Sequence, residues 1–428
     1  MDTAPLQHPR IMMYSQDGFG LGHMRRITSI GGQMLRMRDD ACILTLADSR
    51  LGPFFQTAQN HEYLKLPSIA KKGPGDWRAV NLPLPFAQVR AMRQELIRSA
   101  ALSFRPHLFL VDHMPHGAMG ELLPTLDLLK AAGTKLVLGL RDILDAPDVV
   151  QDRWQSEGAY AAMERYYDRV LVYGRREVYD LAEQYRFPPD VIPRMHYCGY
   201  VCTPVAGQYT TTRATYLGDA DADTKLIVAM AGGGADAYPM MRALVDALPV
   251  VQDRQPCVLV LVTGPFMPLE RVVDLQEQLR GQPAHVLMSV SDSLSLIQSA
   301  DLVVAMAGYN TTMELLQLGK PAVLIPRAGP SAEQRLRARL FAAKGWIKTV
   351  DPDDLHTGQL AQAIVDNLAS VPHTPVENRP DLNGLNTAVE LLLTLLPPSP
   401  TGVVPSPATV DMTTQLQVQT REPVDCLI

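Results

Sequence analysis

The chain has 428 residues, 46% of them hydrophobic and 20% charged, too long for one ordinary domain and apolar enough for two cores. Its formal net charge of −6 gives no global attraction for nucleic acid. No apolar run reaches the roughly 18 residues of a membrane span, and the opening MDTAPLQHPRIMMYSQDG has neither the basic region nor the cleavage site of a secretory leader. Cys42, Cys198, Cys202, Cys257 and Cys426 are scattered, as in a protein of the reducing cytosol.

In chain order, Ile11 to Tyr14 reads as a short buried strand. It ends in the turn Ser15 to His23, which carries Gly18, Gly20 and Gly22. A helix from Met24 to Met37 and a strand from Ala41 to Leu46 follow. Gly and Pro break the pattern from Lys71 to Asp76, which reads as a loop. The next helix, Phe86 to Ser103, sets Phe86, Val89, Leu96 and Ile97 toward a core and Arg90, Arg93 and Arg98 toward water. Docking on a membrane surface is the other use of such a basic amphipathic helix. Strands then run from Leu108 to Val111, ending in Asp112, from Leu136 to Leu140, ending in Arg141-Asp142, and from Arg169 to Tyr173. This alternation predicts a parallel sheet covered by helices on both faces.

His196 to about Asp223 reads as an interdomain linker. The pattern restarts with the strand Lys225 to Met230 and the turn Ala231-Gly232-Gly233-Gly234. Three adjacent glycines are costly to order, so a close backbone approach explains them better than looseness. Further strands are Cys257 to Val262, which leads to Thr263-Gly264-Pro265, then Val286 to Met288, Leu302 to Ala305 and Ala322 to Ile325. The segment Gly308-Tyr309-Asn310-Thr311-Thr312 reads as a turn feeding a helix from Met313 to Leu318, stopped by Gly319 and Pro321. A strand, a small-residue turn and an open helix N-terminus make an anion site. A polar loop with Glu333 and Gln334 follows the last strand. Arg335 and Arg339, one turn apart, read as a solvated face. From about Leu396 the chain is rich in Pro, Thr, Ser and Gln and reads as disordered.

Gly18-x-Gly20-x-Gly22-His23 departs from the dinucleotide spacing G-x-G-x-x-G. Asp112-His113-Met114-Pro115-His116 has the residue types of a metal site, but Pro115 makes it a loop without further ligands, so no metal is assigned. A neutral His backed by a carboxylate can take a proton from a hydroxyl; alternatively His23 caps its helix or touches phosphate only. Thr311-x-x-Glu314 also fits a capping box. Arg25 and Arg26 could offset phosphate charge or form a solvated helix face. Arg141-Asp142 fits an acceptor contact or an internal ion pair.

Residues 301–346 resemble the nucleotide-sugar signature of MurG-like glycosyltransferases, family 28 with the GT-B fold. The resemblance implies an α/β architecture of two facing Rossmann-like domains with a cleft, here 1–205 for the acceptor and 206–395 for the donor, with a tail over 396–428. It implies that Gly232, Gly233, Gly234, Gly308, Asn310 and Thr311 approach the diphosphate and Glu314 the ribose. By the same resemblance Glu333 and Gln334 contact the sugar, Val290 reads the base by its backbone, and Gly264 borders the nucleotide. His23 would be the base, Asp112 its support, and Gly20, Gly22 and Arg26 would lie on the acceptor or phosphate side.

The implied activity is cytoplasmic, metal-independent, inverting transfer from a nucleotide diphosphate sugar, UDP-linked, to a hydroxyl acceptor, with no cofactor. The acceptor stays open between a lipid-linked carrier and a small metabolite, and peripheral contact with the inner membrane face goes with the former. Two alternatives remain. One is a hydrolase or epimerase of the same nucleotide sugar, since Gly20-Leu21-Gly22-His23-Met24-Arg25-Arg26 is similar to the loop of nucleotide-sugar hydrolases. The other is a non-catalytic nucleotide-sugar sensor.

Overall fold

The computed structural model describes residues 8–16, 22–49, 59–73, 76–204, 213–369 and 380–398. Gly18 and Gly20, and the tail beyond residue 398, lie outside the described residues. The first half holds β1 (Arg10–Ser15), α1 (Gly22–Met37), β2 (Cys42–Ala47), β3 (His61–Lys65), β4 (Ile69–Gly73), β5 (Asp76–Ala79) and α2 (Phe86–Phe104). It continues with β6 (Leu108–Asp112), α3 (Leu123–Ala131), β7 (Lys135–Arg141), α4 (Pro147–Glu157), α5 (Ala159–Tyr166), β8 (Arg169–Tyr173), α6 (Leu181–Gln184) and β9 (Met195–Tyr197). The second half holds α7 (Ala214–Leu217), β10 (Lys225–Met230), α8 (Tyr238–Gln252), β11 (Cys257–Val262), α9 (Leu269–Gln278), β12 (Ala284–Leu287), α10 (Ser293–Ser299) and β13 (Leu302–Ala305). It closes with α11 (Tyr309–Leu318), β14 (Ala322–Leu324), α12 (Glu333–Ala343), β15 (Lys348–Thr349), α13 (Thr357–Ala369) and α14 (Gly384–Leu393).

Two parallel sheets result, ordered β3-β2-β1-β6-β7-β8-β9 and β12-β11-β10-β13-β14-β15. Their strands read as continuous apolar runs because both faces are covered: β6 and β11 are buried along their whole length. In each sheet the order reverses beside the first strand, between β1 and β6 and between β10 and β13. Such a reversal opens a crevice at the carboxyl ends of the strands, where ligands of doubly wound sheets bind. His23 stands at the start of α1, the next described element after β1, and Asp112 ends β6. Gly232-Gly233-Gly234 follow β10, and Gly308 follows β13. The candidate residues therefore sit at both reversal points.

One apolar cluster runs through both halves, from Met13 and Ile27 to Val228, Met313 and Val389. The chain crosses between the halves twice, and the crossings are bonded to each other: Tyr200 N–H donates to Asp381 O (2.8 Å) and Gly384 N–H to Tyr200 O (3.0 Å). Gly199, at φ 86°, and Gly384 make this approach possible; a Cβ on Gly384 would lie 2.4 Å from Gly199 O. Helix α14, placed by sequence with the second half, packs on α1 and β8 of the first.

Several local expectations are corrected. Within the stretch Lys71 to Asp76, read as a loop, Lys71 to Gly73 end β4 and Asp76 opens β5, and the two strands pair antiparallel. Arg93 faces the core rather than water: it is fully buried on α2, donating to Glu121 at 2.6 and 2.7 Å and to Asp48 at 3.2 Å. Leu96, expected inside, is exposed.

Candidate active site

The first side of the cleft is built on α1. His23 Nδ1 lies 2.5 Å from Asp112 Oδ2. Arg26, one turn later, also meets Asp112, through Nε (3.1 Å) and Nη2 (2.9 and 2.7 Å). Burial alone would raise the Asp112 carboxyl's pKa, but Arg26 and then His23 hold it well below the usual carboxylate range. Asp112 is therefore ionised, and the proton between it and His23 belongs to Nδ1. Arg26 Nη2, 2.9 Å from the same nitrogen, is then a neighbour imposed by the shared carboxylate. This tautomer puts the basic lone pair on Nε2. Arg26 is only 2% exposed, with its guanidinium over the rings of Tyr173 (5.3 Å) and Tyr309 (5.8 Å). Neither a solvated face nor a phosphate contact describes it; it anchors the carboxylate that orients His23.

Behind His23 lies His113, ring centroids 5.1 Å apart. Its backbone sits at φ 75°, unusual for a side-chain-bearing residue, and its N–H donates to Gly139 O at 2.8 Å. Burial first, then Arg141 and His23, pushes its pKa well below the ordinary value, so the ring is neutral. A cavity of about 310 Å³ opens beside both rings, lined also by His116, Trp77, Trp154, Arg153 and Glu157.

The second side is built on α11. It begins at Tyr309 rather than Met313, with Gly308 as N-cap and no side-chain cap. Thr311 thus lies inside the first turn, and the capping box of Thr311 and Glu314 does not form. Tyr309 explains the earlier start: its hydroxyl donates to Tyr173 O (3.0 Å) and accepts from Val201 N–H (2.8 Å). A Cβ on Gly308 would meet nothing within 4 Å, so space lies open before the helix N-terminus, where unpaired N–H groups favour an anion.

The two sides touch. Asn310 Nδ2 donates to Gly22 O (3.1 Å), and Arg25 Nη1 donates to Glu314 Oε1 (2.6 Å). Glu314 is 1% exposed, and its Oε2 has no hydrogen-bond partner. Deeper in the cleft Glu333 opens α12 instead of sitting in a loop, bonded to Arg141 (3.0 Å) and Arg337 (2.9 Å). Fully buried Arg337 donates to both oxygens of Asp142 (2.6 and 2.8 Å) and to Ala307 O (2.9 Å). Arg141-Asp142 is thus a pair of bridges between the halves. Gln334 turns away, its Oε1 accepting from Arg327 N–H at 3.0 Å.

Gly232 and Gly234 adopt φ 62° and 88°, and Gly264 adopts 90°. A Cβ on Gly234 would lie 2.1 Å from Thr263 O, and one on Gly264 2.7 Å from the carbonyl oxygens of Gly232 and Gly233. The close approach read from the triple glycine is therefore satisfied by the neighbouring strand-end loop. Val290 lies half-buried between β12 and α10 against the shared core. Among the described residues, no group of three or more His, Cys, Asp or Glu is placed to hold a metal ion, and no helix is long and apolar enough to cross a membrane.

Residues 227–390 match the family described as glycosyltransferase family 28 C-terminal domain. The second half of the chain is a family 28, MurG-like domain. The UDP-N-acetylglucosamine--N-acetylmuramyl-(pentapeptide) pyrophosphoryl-undecaprenol N-acetylglucosamine transferase of Acidothermus cellulolyticus is 34% identical over 141 residues, 33% of this chain and 37% of that protein. The match thus spans well under half of that curated relative's length. Over the whole fold, Acinetobacter baumannii MurG is similar with a TM-score of 0.56 at 16% identity, covering 90% of this chain and 99% of that one. A putative UDP-N-acetylglucosamine 2-epimerase from Listeria monocytogenes gives 0.59 at 13% identity, over 90% and 95%. These likenesses show the GT-B fold.

Arg337, Arg153 and Glu157 belong to the cleft and its cavity without having been singled out by sequence. Arg337 carried one signal, its i,i+4 spacing from Glu333; Arg153 and Glu157, on α4, carried none that points to the cavity.

Proposed function

We propose that the chain is an inverting glycosyltransferase that moves a sugar from a nucleoside diphosphate sugar to a hydroxyl acceptor, with His23 as general base. The observation that supports this most is the Asp112–His23 pair at the reversal point of the first sheet, facing the uncapped N-terminus of α11 in a family 28 domain. The Acidothermus relative is named for UDP-N-acetylglucosamine, which favours a UDP-linked donor here.

In this reading ionised Asp112 holds the proton on His23 Nδ1, and Nε2 removes the acceptor's hydroxyl proton as its oxygen attacks the anomeric carbon. The bond from that carbon to the diphosphate oxygen breaks on the opposite face, inverting the centre, and the electron pair leaves with the diphosphate. N–H groups at Gly308 and the first turn of α11 meet the charge that develops there. Glu314 takes the ribose hydroxyls through its unpartnered Oε2. No step is assigned to a metal ion.

The test is His23→Ala in a nucleotide-release assay with donor and acceptor, beside calorimetric binding of UDP. Transfer should fall by about 10²–10⁴-fold while UDP binding stays within about twofold, a change below 1 kcal/mol. Unchanged turnover removes His23 from the chemistry. Accumulation of free sugar from donor alone, at the rate seen with acceptor, replaces transfer by hydrolysis. Binding of UDP without any turnover leaves a sensor.

A further inference from the structure

The cavity beside His23 carries polar groups that nothing in the protein satisfies. His116 is 4% exposed; its Nδ1–H donates to Gly117 O at 2.8 Å, which leaves Nε2 as an acceptor, and Nε2 has no partner. His113 Nδ1 is likewise buried without a partner. An unsatisfied buried polar atom costs about 1–3 kcal/mol, and two beside one cavity are relieved together by a ligand that supplies hydrogen-bonding groups, a donor for His116 Nε2 among them. Trp77 and Trp154, both largely buried, add flat apolar wall. Arg153 and Glu157 stand one turn apart on α4, both at the cavity, and no ion pair is formed by either among the described residues.

These groups define a chemistry. Arg153 donates, while Glu157 and His116 Nε2 accept. Among the described lining residues, Arg153 and Glu157 cancel in formal charge, and neutral His113 adds none. A site for a lipid-linked diphosphate would instead need an excess of cations to meet its charge. The volume, about 310 Å³, stands at the lower end of the roughly 300–1,000 Å³ range of small-molecule sites. A polyhydroxylated ring fits all of this, because its hydroxyls both donate and accept and its C–H face lies against an aromatic wall.

Resting on the transferase reading above, we infer that the acceptor is a neutral, soluble saccharide of one or two rings, seated between Trp77 and Trp154 with hydroxyls on His116, Arg153 and Glu157. One of its hydroxyls then lies beside His23, which lines the same cavity.

The experiment measures nucleotide release from UDP-N-acetylglucosamine and UDP-glucose with three acceptor sets. These are methyl glycosides of glucose, galactose, mannose and N-acetylglucosamine; the disaccharides maltose and cellobiose; and a farnesyl diphosphate-linked N-acetylmuramyl peptide. Release stimulated by a saccharide, with a glycosylated product of the matching mass, supports the inference. His116→Ala should then raise the KM for that saccharide about tenfold, the loss of one buried hydrogen bond, with the Kd for UDP unchanged. Glu157→Gln, nearer the surface, provides the same readout if His116→Ala fails to fold. Stimulation by the lipid diphosphate alone, or by none of the three sets while UDP still binds, overturns the saccharide acceptor and leaves the donor reading standing. Failure of UDP to bind at all overturns both.

Discussion

Asp112→Asn separates two duties that fall on one carboxylate. Asp112 is 1% exposed and faces Arg26, itself 2% exposed, across contacts of 2.7, 2.9 and 3.1 Å. Neutralising it strands a buried guanidinium, and breaking such a pair on one side costs about 3–5 kcal/mol. The rings of Tyr173 and Tyr309 keep some attraction for the cation, about 0.5–2 kcal/mol, so the lower end of that range is the expected loss. For a half of about 200 residues, 3 kcal/mol lowers Tm by about 6–12 °C. Transfer falls as well, by about 10²–10⁴-fold, because Asn no longer enforces the tautomer with its lone pair on Nε2. The control is His23→Ala, which leaves Arg26–Asp112 in place. It should lose transfer equally and shift Tm by less than about 4 °C, the equivalent of 1 kcal/mol. Scanning calorimetry of the three proteins decides the matter. An Asp112→Asn protein melting within 2 °C or so of the native one would show that the buried pair does not hold this site together.

Three further outcomes follow from particular contacts. If Glu314 takes the ribose as proposed, Arg25→Ala removes a partner, 29% exposed, that competes for it, so UDP should bind more tightly, by at least the roughly twofold that an exposed pair is worth; weaker binding would mean that Arg25 itself holds the diphosphate. Gly264→Ala forces a Cβ to 2.6 Å from the Gly233 carbonyl carbon at φ 90° and should cost at least about 2 kcal/mol by combined strain and overlap, read as a lower urea midpoint; an unchanged midpoint would deny that the two loops are wedged together. Burial holds the His61 pKa at about 4, against about 6.5 when unfolded. Its depressed value means that the stability it contributes is complete above about pH 6.5 and drains away as pH falls toward 4, by about 3 kcal/mol in all. Urea titrations of native protein and His61→Gln across pH 7.5 to 4.5 check this: the variant should lack that part of the acid slope.

What could be read from sequence was whatever is local. Apolar runs marked the strands Arg169–Tyr173, Lys225–Met230, Cys257–Val262 and Leu302–Ala305 to the residue, because a strand covered on both faces needs no partner to reveal it. The ends of those strands then located the turns. Charges were misread wherever the partner is distant. Arg26 and Asp112 stand 86 residues apart, and Arg93 and Asp48 stand 45 apart, so helical spacing alone placed Arg93 in water and left the Arg26 role open. The start of α11 was missed for a similar reason. Tyr309, Asn310 and Thr311 are weak helix formers, and what holds them helical is the Tyr309 hydroxyl reaching Tyr173 and Val201 in other parts of the chain. The short edge strands β9 and β15, of 3 and 2 residues, are too brief to carry a pattern.

The return of α14 to the first sheet sets where this chain could be recombined with a relative. A chimera joined only near residue 205 would import a foreign α14 and lay it on the native α1 and β8, with which it shares apolar packing through Ala388, Val389 and Leu392. A graft that replaces 213–369 alone keeps Tyr200, Asp381 and Gly384 bonded as they are and exchanges only the second sheet and its helices. The natural unit of exchange is therefore an internal cassette, inserted between the two bonded crossings, rather than a C-terminal half.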